Sequence, residues 1–353
     1  MNHFFFNRIL IIGIGLIGGS MAKALRKNNL AKEIWAYDNN IESIDLAKKN
    51  HIIDGFFVID HEIKKFDLII IATPLDSYSK LFSELNQFLT PNNLVIDLGS
   101  IKNFKADLLK KIPNLIGCHP ISGSHNTDFV NSREDLFVNK KFIICQYPNS
   151  LNNNKVFLEK IITMAREIKA QPELLDAKLH DKIYALTSHL PQFLSFLTRE
   201  FSPKKIDDDF LKTCFRLDNS SPEIWQEIFK LNQQNLEYFY QIFYQNLLED
   251  FDQIDNINFQ QHRLIIHDFN FNLLTINENK LLNNNFTEIF FRYLIVVNYL
   301  KIDQLKSYLN YTGQGFCDFT KITSIISTDP EKLSQLLKVN LPKIKKIFDK
   351  FLN

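Results

Sequence analysis

The chain reads as an α/β protein, with a doubly wound sheet in its first half and an all-helical second half. Three observations predict this. Short apolar runs alternate with helix-period segments as far as about residue 175. A glycine-rich turn joins the first apolar run to the first helix. From Asp176 onward the alternation gives way to long stretches of helical periodicity.

Taken in order, RILII (Arg8–Ile12) is the first strand, and LIGGSMAKALRKN after it carries apolar and small residues at helical spacing. EIWAYD is the second strand. DLIIIATP (Asp67–Pro74), NLVIDLGS (Asn93–Ser100), NLIGCHP (Asn114–Pro120) and KFIICQ (Lys141–Gln146) follow. Each is a short apolar run of the kind shown by parallel strands buried on both faces. Helical segments such as SYSKLFSELNQFL separate several of them, which implies βαβ units. IKNFKADLLKK is expected to be a helix, with Ser100 a candidate N-cap. The polar segment Asn149–Asn154 and the helix start near Asp176 both suit a boundary, and we set it at 175/176: residues 1–175 form the first domain and residues 176–353 the helical second domain. QHRLIIHDFNFNLLTI (Gln261–Ile276) interrupts the helices and is expected to be a hairpin. PQFLSFL, KTCFRL and SSPEIWQEIFKLN find an echo in FRYLIVVNYL, CDFTKI and STDPEKLSQLLKVN roughly 105 residues on. An internal duplication would give this pattern, and so would two amphipathic helices alike by chance.

Composition excludes several classes. Lys and Arg number 41 against 40 Asp and Glu, a net charge of +1, and no basic block stands out. A nucleic-acid footprint is therefore not expected. Cys118, Cys145, Cys214 and Cys317 lie far apart without CxxC spacing, which argues against a zinc site. Free thiols in a reducing cytoplasm are the simplest account. The patch MNHFFFNR is too short for a signal segment. No apolar run reaches the roughly 18 residues of a spanning helix, so a membrane is not an expected partner, and the scattered cysteines leave no metal expected either.

The glycine-rich turn carries the first functional reading. Gly13 permits a tight turn, Gly15 lets backbone approach a pyrophosphate, and Gly18 lets helix and strand pack closely. Leu16 and Ile17 open the helix whose N-terminus would hold the phosphates, where unpaired N–H groups and the helix dipole favour negative charge. Asp38 closes the second strand at the position of an acid that accepts from ribose hydroxyls. It would repel a 2′-phosphate, and Asn39-Asn40 offers no arginine to greet one, so NAD is the expected cofactor of a Rossmann-type domain. Ligands of such sheets sit at the carboxyl ends of strands. The residues found there are Thr73-Pro74, Ser100 with Lys102 nearby, and His119. His119 has a side chain that exchanges protons near neutrality and can bond a substrate hydroxyl.

GIGLIGGSMAKAL, IATPLDSY, DLGSIK, GCHPISGS, TSHLP and FRLDNSSPEIWQEIF, in this order, resemble the prephenate/arogenate dehydrogenase family of tyrosine biosynthesis over about Arg8 to Phe229. The resemblance implies a Rossmann domain, an all-helical dimerisation domain and an active site in the cleft between them. It implies an NAD-dependent oxidative decarboxylation of prephenate to 4-hydroxyphenylpyruvate in a homodimer, or the equivalent reaction of arogenate. By motif position His119 is similar to the residue that bonds the 4-hydroxyl, and Ser100 to the assisting serine. Ser188 and His189 are similar to the SHLP residues of the substrate side, and Arg216 to the arginine that pairs with a substrate carboxylate. Two departures stand out. Gln192 occupies the place where prephenate users often carry a second histidine, and DDDFLKTC replaces the glycine-rich arm before the arginine. Glycines stand instead at Gly313 and Gly315, with Lys321 near the expected arginine position, so either Arg216 or Lys321 would hold the carboxylate; Pro222 and Trp225, at the family's spacing after Arg216, favour Arg216.

Two other readings compete. A 3-hydroxyacid dehydrogenase would use a lysine on the first long helix of the second domain, where Lys178 and Lys182 stand. A sensor that binds NAD without turnover would keep the fold and lose the chemistry.

Overall fold

The protein is described from a computed structural model, which covers residues 5–122, 128–147, 154–204, 209–257, 261–262, 264–265, 269, 278–326 and 330–352. Eight strands form one sheet: β1 (Phe6–Ile12), β2 (Ala31–Tyr37), β3 (Gly55–Phe56), β4 (Leu68–Ile71), β5 (Leu94–Asp97), β6 (Leu115–Pro120), β7 (Lys141–Gln146) and β8 (Gln171–Leu175). Their order is β3-β2-β1-β4-β5-β6-β7-β8, which reverses direction between β1 and β4. That reversal makes the crevice in which doubly wound sheets bind ligands. The apolar runs fill both faces. Ile9, Ile11, Ile34, Ala36, Leu68, Ile70, Leu94 and Ile96 share one core with Met21 and Leu25 of α1 (Leu16–Lys27), Ala47 of α2 (Ile41–Lys49) and Met164 of α5 (Asn154–Glu167). The alternate residues Leu10, Ile12, Ile69 and Ile71 are equally buried, as are Leu81 and Phe82 of α3 (Tyr78–Leu85).

Two sequence expectations are corrected. β7 runs antiparallel to β6, with Cys118 opposite Ile144 and His119 opposite Ile143. The described residues between these strands include only the 3-10 turn Phe129–Asn131 as helix, so no crossover helix returns the chain for a parallel start. IKNFKADLLKK forms a single turn, α4 (Ala106–Leu109), whose N-cap position is Lys105 and not Ser100. The chain from Ile101 to Lys105 is held out of helix because the N–H groups of Lys102 and Asn103 donate to Asp181.

Two compact units emerge, one of residues 1–181 with 222–231, the other of residues 182–221 with 232–353. The first thus takes in α9 (Pro222–Leu231). In the second, the expected long helix through SHLP is α6 (Ala177–Tyr184, whose last residues belong here) and α7 (Leu190–Thr198), joined by a π-type turn over Ala185–His189. The wide turn has partners for its carbonyls: the Tyr299 hydroxyl donates to Leu186 O at 2.8 Å, and the Thr187 hydroxyl to Ile183 O at 3.0 Å. α8 (Asp209–Cys214) and α10 (Gln233–Asp252) follow, then α11 (Glu278–Leu300), α12 (Gln304–Tyr308), α13 (Gln314–Thr320), α14 (Thr323–Ile326) and α15 (Pro330–Leu352). The hairpin expected at Gln261–Ile276 falls largely outside the described residues, and Gln261, His262, Leu264 and Ile265 are helical. The two echoing segments keep one element order. KTCFRL spans the end of α8 and CDFTKI the end of α13, and in each copy a helix later opens on proline, Pro222 or Pro330.

Candidate active site

Parallel strands deliver their carboxyl ends to one edge of the first unit. Gly13 follows β1 with φ at +90°, a conformation that penalises any side chain, and an added Cβ would stand 2.7 Å from Ala72 O. A Cβ on Gly18 would meet Gly13 O at 1.9 Å, so helix and loop touch through bare backbone. α1 starts from Gly15 with no side-chain cap and no acidic residue in its first turn. Uncapped N–H groups behind a collapsed glycine loop fit a dinucleotide pyrophosphate. Leu16 is buried and Ile17 half-buried at the start of that helix. Asp38 follows β2 and is half-buried; its Oδ2 accepts from Ile14 N at 2.6 Å and its Oδ1 from Asn40 N at 2.8 Å. The acid therefore braces the glycine loop. Beyond β4, Thr73 is half-buried and accepts from the Ser77 hydroxyl at 2.8 Å, with Pro74 exposed beside it.

Ser100 and His119 stand on the same edge, after β5 and at the end of β6, both half-buried. Behind them lies a buried polar group. Asp97 ends β5; its Oδ1 accepts from the Lys102 ammonium, from Gly99 N at 3.2 Å and from the Tyr78 hydroxyl at 3.4 Å. Both side chains of the ion pair are 0% exposed. Burial lifts the Asp97 carboxyl above the usual carboxylate range, and the Lys102 charge opposes that lift. Gly117 makes room for the lysine, since a Cβ there would lie 2.8 Å from Lys102 Cδ. His119 Nδ1 lies 2.9 Å from His180 Nε2, and His180 Nδ1 lies 2.7 Å from Asp181 Oδ1. Sequence reasoning missed His180 and Asp181. Their signal was a polar pair on a helix turn next to Ile183 and Tyr184, where an apolar face is expected.

The remaining candidates belong to the second unit. Ser188 and His189 lie in the π-type turn, and His189 Nδ1 is 3.0 Å from the Asn232 amide nitrogen. Gln192 is buried: its amide donates to Leu217 O at 2.9 Å and accepts from the Ser220 hydroxyl at 3.1 Å. Arg216 Nε pairs with Asp318 Oδ2 at 2.5 Å, and the Gln314 amide donates to the other oxygen of that carboxylate. Lys321 lies over the Phe210 ring. Arg292 is buried and donates to both oxygens of Asp218, at 2.8 and 2.9 Å. Of the lysines weighed for a hydroxyacid dehydrogenase, Lys178 is exposed and Lys182 lies over Tyr238. Among the described residues no group of three or more His, Cys, Asp or Glu side chains could hold a metal ion, and no helix is long and apolar enough to cross a membrane.

The sheet order and its glycine loop define a dinucleotide-binding α/β protein with a helical second half. The family model for the nucleotide-binding domain of prephenate dehydrogenase matches residues 21–174, and that for its dimerization domain matches residues 176–260. The chain belongs to the prephenate dehydrogenase family. It is 30% identical over 194 residues to prephenate dehydrogenase of Lactococcus lactis, covering 53% of this chain and 52% of that protein. Against the Bacillus subtilis prephenate dehydrogenase it is 27% identical, covering 65% of each. The chain thus spans about half to two thirds of the length of these relatives. A crystal structure of A. aeolicus prephenate dehydrogenase with hydroxyphenyl propionate and NAD+ matches with a TM-score of 0.63 and 26% identity, covering 70% of this chain and 90% of that one.

Proposed function

We propose that the chain oxidises prephenate to 4-hydroxyphenylpyruvate and CO2, with NAD as the hydride acceptor. The observation that carries this reading is the single carboxyl edge of the sheet, which holds the glycine loop, Asp38, Ser100 and His119. The substrate's 4-hydroxyl carbon gives up a hydride as the ring carboxylate leaves, and aromatisation drives both departures. The nicotinamide, when bound, takes that hydride. His119 receives the hydroxyl proton as the hydride departs, which prevents charge from building on the oxygen, and returns it to that oxygen when loss of the carboxylate makes the ring aromatic. Ser100 bonds the same oxygen and orients it. Asp38 accepts from the ribose hydroxyls and disfavours a 2′-phosphate. Arg216 presents a planar fork of donors to a substrate carboxylate, with Asp318 holding its Nε side. Ser188 and His189 supply hydroxyl and imidazole groups to the substrate's polar side. The helical half, which matches a dimerization domain, is proposed to pair two copies of the chain.

Arogenate is the second reading, and Gln192 favours it. A neutral amide in place of a histidine does not repel an ammonium group. Following NADH formation from NAD with prephenate and, separately, with arogenate decides between them. Turnover of prephenate at the higher kcat/KM is the expected result. Tight NADH binding without turnover of either compound would sink the catalytic reading.

A further inference from the structure

Behind His119 runs a chain of hydrogen bonds through His180 to Asp181. Asp181 Oδ1 accepts from Lys102 N and Oδ2 from Asn103 N, each at 2.8 Å. A backbone N–H can only donate, so both oxygens accept, the pattern of an ionised carboxylate, which has no proton to give to His180. The nitrogen of His180 that lies 2.7 Å from Oδ1, Nδ1, therefore carries a proton. Burial and the nearby Lys102 charge push the His180 pKa well below its ordinary value, so the ring is neutral and its Nε2 holds a lone pair. That lone pair faces His119 Nδ1 at 2.9 Å. The proton between the two rings belongs to His119.

We propose that His180 and Asp181 are positioning residues that fix His119 as the Nδ1–H tautomer and so reserve its Nε2 as the nitrogen that takes the substrate's proton. The proposal rests on the reading of His119 given above. When Nε2 gains the proton, the positive charge that forms on His119 lies one ring away from the Asp181 carboxylate, which stabilises it without taking a proton itself. The logic is that of the acid that holds the histidine of a serine-protease triad in its working tautomer. A merely structural role for Asp181, that of holding the chain at Lys102 and Asn103, would leave the tautomer of His119 unspecified.

The test uses the whole protein labelled with 15N in its histidine rings, with His119→Asn to assign the His119 signals. In the unmodified protein above the His119 pKa, Nδ1 is expected in the protonated position and Nε2 in the lone-pair position. His180→Leu should shift His119 towards a mixture of tautomers and lower kcat by about 10- to 100-fold with KM for both substrates unchanged. His180→Gln, whose side-chain oxygen can accept from Nδ1–H, should restore most of both. A proton found on Nε2 in the unmodified protein would overturn the proposal, and so would unaltered kcat in folded His180→Leu. Should His180→Leu fail to fold, the spectrum of the unmodified protein decides alone. Absence of NADH formation in the unmodified protein would count against the catalytic reading instead, while the 15N spectrum still decides the tautomer by itself.

Discussion

Lys102 brings an ammonium group to a place with no exposure, and what it meets there is the carboxylate of Asp97. Such a pair is costly to desolvate, and removing one partner is costlier still, because the other charge is left buried alone. Lys102→Met should therefore lower stability by about 3–5 kcal/mol at pH 8. Asp97 can escape by taking a proton, so its folded pKa in the variant lies above the unfolded value and the loss should shrink as pH falls towards 5. Replacing both residues, as Asp97→Leu with Lys102→Met, should recover much of the deficit. Urea unfolding at the two pH values reads all three effects; a single variant as stable as the parent at pH 8 would show that the pair is not ionic. The same two residues show where sequence reading stops. Lys102 was visible as a neighbour of Ser100, but nothing in DLGSIK says that its side chain turns inward. His180 and Asp181 were hidden for a similar reason, since a buried polar residue announces itself only through the partners that the fold brings to it.

At the scale of elements, legibility followed burial. β1 and β4 to β7 stand out in the sequence because each carries a run that is apolar on both faces, as a covered sheet requires, while β2 alternates, with Ala31, Ile34 and Ala36 buried and Lys32 exposed. β3 has two residues, and β8 is a partly exposed edge strand containing Pro172, so neither has a pattern to detect. The direction of β7 was illegible because direction is set by the connection and not by the strand. The helical half has its own half-buried polar junction. Asp250 of α10 accepts from His262 at 3.1 Å, from Asn298 at 2.9 Å and from Lys301 at 2.6 Å. Burial pushes its carboxyl up, yet the hydrogen bonds and charges of His262 and Lys301 outweigh that and hold it at about 2. With the folded pKa below the unfolded one, the stability it confers is complete above about pH 4 and is lost as pH falls towards 2. Asp250→Asn should lower the urea midpoint at pH 6, and only about a third of that deficit should remain near pH 2.5. An equal deficit at both pH values would mean that packing, and not charge, explains the loss.

For the whole molecule the open quantity is mass. The dimerization-domain match ends at residue 260, while α11 to α15 lie beyond it and belong to the same compact unit. Those later helices bind the earlier ones through buried polar contacts. Arg292 of α11 donates to Asp218 and to the Ser195 hydroxyl, and Asp318 of α13 pairs with Arg216. The echo of KTCFRL in CDFTKI, with each copy later opening a helix on proline, makes the second set a candidate repeat of the first. A repeat packed on its own copy covers surface that a partner subunit could otherwise use. If the helical half nevertheless pairs two chains, as proposed, light scattering should give twice the 41.4 kDa of one chain. It should do so down to low micromolar concentration, because obligate interfaces of this kind bury roughly 2,000 Å² or more. A mass of one chain would overturn the dimer.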